Sequence, residues 1–418
     1  MKVQEIRKLV RMRSIELDRT ARRLAACHDV ADLRRVAKRR IPRPVFDYVD
    51  GAADEELAVR ASVAAFRAWR FQPRVLTDVS SADTSSTILG APVPVPLVLG
   101  PIGYTRMMHP DGESGAARSA ARHQLPYTLS TMAATGLEEV AGTVARLSGS
   151  TRGTEGRPPR EQLPCDLWFQ LYITKDRALA HDLVDRAAGN GYRVLVVTVD
   201  TVVAGNRIRD KRNGLSTPPE LSLRTVLQVA SRPGYWYRLL SGPALDYANF
   251  AGMPPTTIMR TGELFDPSIT WDDIADLRSR WNGKLVIKGP LGVADARRAV
   301  DLGVDGIQLS NHGGRQLDRA VAPVDLIAPV RDAVGPSVSL LVDSGVRHGA
   351  DVVTALALGA DAAVLGRAYV YGLMAGGESG VDRALDLICE QIRRTMQLLG
   401  VASVSELRKG GRELLTKA

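Results

Sequence analysis

Short runs of apolar and β-branched residues alternate with longer segments of helical periodicity along the chain from residue 96 onwards. Each run is apolar nearly throughout, which is typical of parallel strands that are buried on both faces of a sheet. The segments between the runs are rich in alanine and predict helices, as in Gly115–Arg122, Ala178–Ala188, Val293–Leu302 and Ala350–Leu358. The candidate strands are Pro96–Pro101, Tyr127–Ser130, Leu167–Tyr172, Val194–Asp200, Leu285–Gly289, Gly306–Asn311, Ser339–Gly345 and Ala362–Arg367.

Eight strands that alternate with helices are the number found in a closed (β/α)8 barrel. The sequence therefore predicts an α/β protein in which residues 44–400 form a TIM barrel. Residues 1–43 are basic and predict a helical N-terminal extension, and residues 401–418 are left as a C-terminal tail. We interpret the extension as a solvated helical lead-in, with a membrane-surface arm as the alternative.

A long insertion interrupts the rhythm between the fourth and fifth strands, over residues 211–275. It carries basic and aromatic residues among leucines and valines, including Arg224, Arg232 and the run Tyr235–Arg238. Long loops at the mouth of a barrel are usually functional, so a lid over the active site is the favoured interpretation. Basic and aromatic residues also suit a membrane interface, and the two roles are compatible.

Composition excludes several classes of protein but does not identify the ligand. With 45% hydrophobic and 24% charged residues the chain can bury a large core, and no apolar run approaches the length of a membrane-spanning helix. The start of the sequence lacks the apolar stretch of a signal peptide, so we expect a cytoplasmic protein. Three widely spaced cysteines, Cys27, Cys165 and Cys389, predict neither a disulfide framework nor a metal site. The net charge of +9 suits nucleic acid, an anionic membrane or acidic substrates, but no nucleic-acid-binding motif accompanies it.

Polar side chains of several kinds stand at the predicted strand ends, where barrel active sites lie. The loops after the seventh and eighth strands commonly bind phosphate in barrels, and here they carry Arg347 and Arg367 beside Gly345 and Gly366. Hydroxyl, amide and ammonium groups at the second to fifth strands suit a polar heteroaromatic ring. Together these ends predict a site for flavin mononucleotide (FMN). They are Pro101, Gly103, Ser130, Gln170, Tyr172, Thr198, Asp200, Arg207, Lys288, Ser310, His312, Asp343, Gly345, Arg347, Gly366 and Arg367.

The stretch Ser310–Asp318, which follows the sixth strand, places a base and a cation close together. His312 can take up a proton near neutral pH, and Arg315 offers a planar pair of donors that matches a carboxylate. Gly313 and Gly314 between them allow a tight turn. A polar loop with a solvated histidine and arginine is the alternative interpretation.

This stretch, Ser-Asn-His-Gly-Gly-Arg-Gln-Leu-Asp, resembles the signature of the FMN-dependent L-2-hydroxy acid dehydrogenase/oxidase family, over about residues 30 to 400. The resemblance extends to the bacterial L-lactate dehydrogenase branch, which shares the Asp-Pro-Ser-Ile segment at residues 266–269. Further matching segments are Asp47-Tyr48, Trp168–Tyr172, Thr198–Asp200, Val286–Gly289, Asp343–Gly345 and Leu365–Arg367.

The resemblance assigns a role to each matching residue. It implies that His312 removes the substrate proton, that Asp200 stabilises the imidazolium, and that Lys288 faces charge developing on the flavin. Arg315 and Tyr48 match the residues that hold the substrate carboxylate, and Tyr172 and Arg207 match other active-site positions. Ser130, Gln170 and Thr198 match ring-binding residues, whereas Asp343, Arg347, Gly366 and Arg367 match ribityl and phosphate contacts.

Two positions depart from the family pattern. The segment Pro101-Ile102-Gly103 lacks a threonine that many members have, and its glycine resembles the membrane-linked dehydrogenases more than the oxidases, in which alanine is usual. Met132 replaces a tryptophan of glycolate oxidase, which leaves the preferred substrate side chain open.

The sequence thus predicts FMN-dependent oxidation of an L-2-hydroxy acid, with L-lactate favoured and quinone or another carrier as electron acceptor. A peroxide-forming oxidase and a non-catalytic flavin-binding partner protein are the alternatives. The resemblance further implies a homo-oligomer, namely a tetramer. For the location, a peripheral position at the inner face of the cell membrane is the alternative to a purely cytoplasmic one.

Overall fold

The structure, a computed structural model, describes residues 16–147, 165–214, 232–243, 245–250 and 264–418. Its strands, in chain order, are β1 (Trp69–Phe71), β2 (Ser86–Ile88), β3 (Ala91–Val93), β4 (Leu97–Leu99), β5 (Tyr127–Ser130), β6 (Leu167–Tyr172), β7 (Val194–Thr198), β8 (Lys284–Gly289), β9 (Gly306–Leu309), β10 (Ser339–Val342), β11 (Ala362–Leu365) and β12 (Leu415–Lys417).

The helices before the insertion are α1 (Arg19–Ala25), α2 (Val30–Arg40), α3 (Arg43–Asp50), α4 (Leu57–Arg67), α5 (Gly112–Arg122), α6 (Leu137–Leu147) and α7 (Arg177–Gly189). Those within and after it are α8 (Ile208–Arg212), α9 (Pro233–Leu240), α10 (Trp271–Arg280), α11 (Val293–Asp301), α12 (Pro323–Val334), α13 (Gly349–Leu358), α14 (Arg367–Gly376), α15 (Glu378–Leu399) and α16 (Val404–Gly410).

Strands β4 to β11 close into a parallel barrel in sequence order, so the predicted TIM barrel is confirmed. Every residue of β5 and β7 is buried, as the continuous apolar runs predicted. Small β-branched and aliphatic side chains fill the barrel interior together with Trp168, and the β2–β3 hairpin closes its amino-terminal end with Ile88 and Val93. The fourth strand ends at Thr198, so Asp200 stands in the loop that follows it.

The N-terminal extension differs from the solvated lead-in that we expected. Over its described part, helices α1 and α2 bury Leu24, Leu33 and Ala37, and both pack against α14 of the barrel. Residues 1–15 of the predicted extension lie outside the described residues. Apolar positions spaced three or four apart among the arginines create this buried face, because they fall on one side of a helix.

The C-terminal segment is likewise part of the folded body. Strand β12 pairs in antiparallel fashion with β1, and α16 packs on α13. A membrane-crossing helix is not found within the described residues, since none there is long and apolar enough.

Candidate active site

The carboxyl ends of the barrel strands surround a cavity of about 690 Å³. The predicted site residues that line it are Tyr48, Pro101, Gly103, Gln170, Tyr172, Thr198, Arg207, Lys288, His312, Arg315, Asp343, Gly345, Arg347, Gly366 and Arg367. The remaining three, Asp200, Ser130 and Ser310, stand behind lining residues and hydrogen bond to them.

A run of left-handed backbone turns the chain back toward the cavity after β9. His312, Gly313 and Gly314 have φ of +57°, +64° and +75°. Two hydroxyl groups secure the turn, since Ser310 Oγ accepts from the His312 amide at 3.0 Å and Ser344 Oγ accepts from the Gly313 amide at 2.9 Å. A histidine in this conformation is strained, and such strain persists only where surrounding contacts hold it.

The imidazole of His312 connects two other residues. Its Nδ1 lies 2.9 Å from Asp200 Oδ1, and its Nε2 lies 3.3 Å from the Tyr172 hydroxyl. Because an ionised carboxylate can only accept, Nδ1 carries the proton of the neutral ring. The lone pair of Nε2 then accepts from Tyr172 and is the basic atom.

Charges around the pair fix its protonation state. Burial lowers the pKa of His312, the Lys288 ammonium lowers it further, and Asp200 opposes both. Burial tends to raise the pKa of Asp200, but His312 and Lys288 outweigh it and the pKa lies below its usual value. The site therefore holds a neutral base against an ionised carboxylate, an arrangement suited to taking up a proton.

Two guanidinium groups share the wall of the cavity beside the base. Arg315 donates to the carbonyl oxygen of Tyr48, and its Cζ lies 4.7 Å from the centre of the Tyr48 ring. Burial lowers the pKa of Arg315, and the neighbouring charge of Arg207 lowers it further. The Nε of Arg207 is buried without a hydrogen-bond partner in the described part of the chain. Paired cations of this kind fit a carboxylate ligand.

Polar atoms without partners mark the floor of the cavity. Gln170 Oε1 accepts from Ser130 Oγ at 3.2 Å, yet Gln170 Nε2 and Thr198 Oγ1 are buried with no hydrogen bond to any described residue. An unpaired buried polar group costs about 1–3 kcal/mol. A donor and a hydroxyl left open at neighbouring strand ends fit the polar edge of a flavin ring.

The opposite end of the cavity is formed by the loops after β10 and β11. Asp343 accepts from Gln308 Nε2 at 2.6 Å and from Ser344 Oγ at 2.5 Å. Gly345 has φ of +107°, and a Cβ there would lie 2.5 Å from a backbone oxygen of α4, so this turn requires glycine. Arg347 lines the cavity nearby and is the cation of this end.

Arg367, which we expect to contact the phosphate, lines the cavity and also bonds to the backbone. Its Nε donates to Val49 O at 2.7 Å, Nη1 to Gly313 O at 2.8 Å and Nη2 to Gly51 O at 2.6 Å. Burial lowers its pKa to about 10. The guanidinium borders the cavity, but three of its donors already serve backbone carbonyls of the α3–α4 segment and the His312 turn.

Gly103, the glycine that resembles the membrane-linked dehydrogenases, lies against Met132, which replaces the tryptophan of glycolate oxidase. A Cβ on Gly103 would stand 2.9 Å from the carbonyl oxygen of Met132 and 3.0 Å from its Cβ. The segments after β4 and β5 are therefore packed too closely at this point for alanine without a backbone shift.

Part of the 211–275 insertion reaches the mouth of the cavity. Tyr247 lines it, with its ring centre 4.9 Å from that of Tyr104, and Phe265 lines it 5.3 Å from the ring of Tyr172. Asn249 is buried and donates to the carbonyls of Ser130 and Thr131 at 3.2 and 3.1 Å. Residues 215–231, 244 and 251–263 of the insertion lie outside the described residues.

Sequence reasoning missed Glu113, which is fully buried at the start of α5. Its carboxylate accepts from the Thr105 amide at 2.9 Å, the Ala134 amide at 3.0 Å and Thr135 Oγ1 at 2.9 Å. It thus joins the two loops that follow β4 and β5. An acidic residue within an alanine-rich helix was the available signal.

Comparisons with known proteins agree with this geometry. The profile described as "FMN-dependent dehydrogenase" matches residues 37–414. The chain belongs to the FMN-dependent dehydrogenase family. A relative from Alcaligenes faecalis named L-lactate dehydrogenase is 41% identical over 383 residues, which are 90% of this chain and 96% of that protein.

Solved structures of the family share the whole architecture. The crystal structure of the monotopic membrane protein (S)-mandelate dehydrogenase is 34% identical with a TM-score of 0.85, covering 94% of this chain and 100% of its own. The flavin-binding domain of baker's yeast flavocytochrome b2 is 28% identical with a TM-score of 0.75, covering 94% and 87%. The cofactor is therefore FMN, and the open polar atoms of Gln170 and Thr198 fit it.

Replacement of Glu113 tests whether the two loops are held by its carboxylate. In Glu113→Gln one acceptor oxygen becomes a donor, which leaves a backbone amide or hydroxyl unpaired. We expect a loss of about 2–3 kcal/mol in the free energy of unfolding and easier release of FMN. Denaturant titration and flavin fluorescence measure the two effects.

The matched control is Glu139→Gln on the exposed face of α6, which we expect to stay within about 0.5 kcal/mol of the parent protein. Equal stability and equal FMN retention in both variants would contradict the role of Glu113.

Proposed function

We propose that this FMN-dependent dehydrogenase oxidises an L-2-hydroxy acid to the 2-keto acid, with L-lactate as the favoured substrate. The supporting observation is that a neutral histidine, hydrogen-bonded to Asp200, shares one cavity with the guanidinium pair Arg315 and Arg207. Such a cavity provides a base for a proton of the 2-hydroxy group or of the carbon that bears it, and a counter-charge for the carboxylate. The relative named L-lactate dehydrogenase supports the choice of lactate.

Each residue has a defined task in this proposal. Arg315, aided by Arg207, Tyr48 and Tyr172, holds the carboxylate and so places the substrate against His312 Nε2. His312 takes a proton, and the ionised Asp200 stabilises the imidazolium that results. FMN, when bound, supplies the acceptor for the two electrons of the oxidation.

Other residues of the cavity would hold the cofactor. Ser130, Gln170 and Thr198 are suited to its ring, and Arg347 with the loops around Gly345 and Gly366 is suited to its phosphate. Lys288, which is 5% exposed, brings a positive charge to the strand ends that carry the ring contacts. Pro101 and Gly103 provide close backbone approach from β4.

For the electron acceptor we propose quinone or another carrier. Gly103 lies too close to Met132 to carry a Cβ without a backbone shift. A glycine at this position resembles the membrane-linked dehydrogenases, whereas alanine is usual in the oxidases. A peroxide-forming oxidase remains the competing function. A non-catalytic flavin-binding protein is less well supported, because a binder has no use for His312 and its carboxylate partner.

The described insertion residues support a lid, since Tyr247 and Phe265 line the cavity. In addition to the lid, we propose peripheral attachment to the cytoplasmic face of the membrane. Helix α9 exposes Tyr237 and Leu240 by 77% and 78%, and the structural relative titled a monotopic membrane protein is compatible with attachment.

Anaerobic mixing of the FMN-loaded protein with L-lactate, D-lactate, glycolate or mandelate tests the reaction. We expect an L-acid to bleach the oxidised flavin band, and His312→Asn to slow bleaching by about 10²- to 10⁴-fold, the contribution of a positioned base. Asparagine is chosen because it tolerates the left-handed backbone of position 312.

Absence of bleaching with every acid would rule out the proposed function. If bleaching occurs, mixing the reduced protein with air or with a quinone analogue distinguishes the acceptors. Faster re-oxidation by air than by the quinone would favour the oxidase.

The Asp200→Asn variant tests the carboxylate through the pH dependence of flavin reduction. Because the pKa of His312 lies below its usual 6.5, reduction should be fast at neutral pH and fall as acid protonates the ring. Asp200 raises that pKa, so its loss should move the acid limb to lower pH. The plateau rate should also fall, by about 10²-fold or more, because the imidazolium loses its partner.

Stopped-flow rates across the pH range measure both changes. A lower plateau with an unmoved acid limb would assign Asp200 a purely structural role.

Asn249→Ala tests the lid, since it removes three hydrogen bonds that join the insertion to Ser130, Thr131 and Leu137. We expect a severalfold rise in the substrate KM as the segment loosens, with a smaller change in kcat. Asn190→Ala is the control, because Asn190 bonds only to a carbonyl within its own α7 terminus. An equal KM in both variants would argue against a lid in this segment.

A further inference from the structure

Three arginines from separate segments come together outside the catalytic cavity. Arg23 belongs to α1, Arg40 ends α2, and Arg238 lies in α9 of the insertion. Besides burial, the charge of Arg238 lowers the pKa of Arg23 and of Arg40, Arg23 also lowers that of Arg40, and Arg40 with Arg238 lowers the pKa of the adjacent His109. No described carboxylate forms an ion pair with any of them, whereas many other arginines of the protein have such a partner.

Packing of the surrounding elements explains why the arginines meet. Helix α1 stands against the end of α14, where a Cβ on Gly376 would lie 2.8 Å from Leu24. His109 packs against the next residue after α14, since a Cβ on Gly377 would lie 2.5 Å from the His109 ring. Tyr235 of α9 donates to Met107 O at 2.5 Å, which attaches the insertion helix beside His109. Arg238 follows Tyr235 by three residues, close to one helical turn.

The cluster contains donors that the described protein does not use. The Nε atoms of Arg23 and Arg40 are buried and have no hydrogen-bond partner within the described residues. Burial, together with the charges of Arg23 and Arg238, lowers the pKa of Arg40 to about 10. Like charges that are partly removed from water and left unpaired are unfavourable unless an anion joins them.

Nearby acids are engaged elsewhere. The Asp111 carboxylate lies 3.4 Å from His109 Nδ1 and accepts from the Glu378 amide at 2.8 Å. Asp18 accepts from the Thr20 amide at 2.6 Å as the cap of α1, although its charge is felt by Arg23. The positive charge of the cluster is therefore not neutralised by these residues.

We propose that Arg23, Arg40 and Arg238 form a binding site for a phosphate group, separate from the catalytic cavity. A phosphate presents more oxygens than one guanidinium can serve, and several arginine forks can bind it together. A carboxylate has only two oxygens, which one or two guanidinium groups can serve. Three converging guanidinium groups are therefore matched to the larger anion.

The headgroup of an anionic phospholipid is the favoured source of the phosphate. Tyr237 and Leu240, exposed on α9 on either side of Arg238, are the kind of residues that enter a membrane interface. A free phosphate or a soluble phosphorylated molecule offers the same chemistry. The experiment distinguishes the two sources.

The test compares Arg23→Gln/Arg40→Gln with the matched control Arg22→Gln/Arg39→Gln in the FMN-loaded full chain. Arg22 and Arg39 are exposed on the same two helices, and each double variant lowers the net charge of +9 by two. One arm measures co-sedimentation with phosphatidylcholine vesicles with or without phosphatidylglycerol. The other measures thermal unfolding with inorganic phosphate against sodium chloride of equal ionic strength.

We expect the site variant to bind phosphatidylglycerol vesicles about 30-fold more weakly than the parent, and the control to lose less than about 5-fold. Stabilisation by inorganic phosphate should vanish in the site variant and persist in the control. Phosphate stabilisation without vesicle binding would support the site and assign it to a soluble ligand.

Equal behaviour of the two double variants in both arms would overturn the proposal. Both variants should keep the flavin spectrum and the substrate-dependent bleaching of the parent, because none of the four arginines lines the catalytic cavity. Loss of vesicle binding is thus separable from loss of the proposed reaction.

Discussion

The guanidinium of Arg367 holds together the segments on which the active site depends. It stands at the end of the last barrel strand and donates to carbonyls from the end of α3 and from the His312 turn. Tyr48 directly precedes Val49, whose carbonyl accepts one of these bonds. Gly313, whose carbonyl accepts another, lies between His312 and Arg315 in the sequence. A buried charge is tolerable there because carbonyl dipoles surround it. Together with the bond from Arg315 to the Tyr48 carbonyl, this contact ties the segment that carries Tyr48 to the turn that carries His312.

Electrostatics in the cavity favour an anionic ligand. Arg315, Arg207 and Lys288 bring positive charge, and Asp200 with Asp210 brings less negative charge. Burial raises the pKa of Asp210, which weakens the negative charge that this carboxyl group brings to the cavity. The neutral His312 completes the set, and a bound carboxylate would balance the excess while leaving the base free to accept a proton.

Arg23 of α1 and Arg40 of α2 have a pKa lowered by burial and by the neighbouring charge of Arg238 in α9. Arginines that looked like a solvated surface in the sequence are divided by the fold into two groups. Some, such as Arg34 with Asp50, form ion pairs, with the closest atoms 2.6 Å apart. Others, such as Arg40, have no acidic partner among the described residues, and this difference distinguishes a structural cation from a candidate ligand-binding one.

Local sequence determined the strands, their order and the chemistry at their ends. Continuous apolar runs suit buried strands, and barrel sites lie at the carboxyl ends of such strands, so His312, Lys288 and Arg347 could be predicted to lie near the cavity. The tertiary structure decided what these side chains touch. Arg367 bonds to residues 316 and 318 positions away, and Glu113 joins loops that no periodicity connects. Such contacts depend on the assembled fold, because only the fold brings these segments side by side. The apolar faces of α1 and α2 are buried in the same way, against α14 of the barrel. The sequence showed these faces but not the element that covers them.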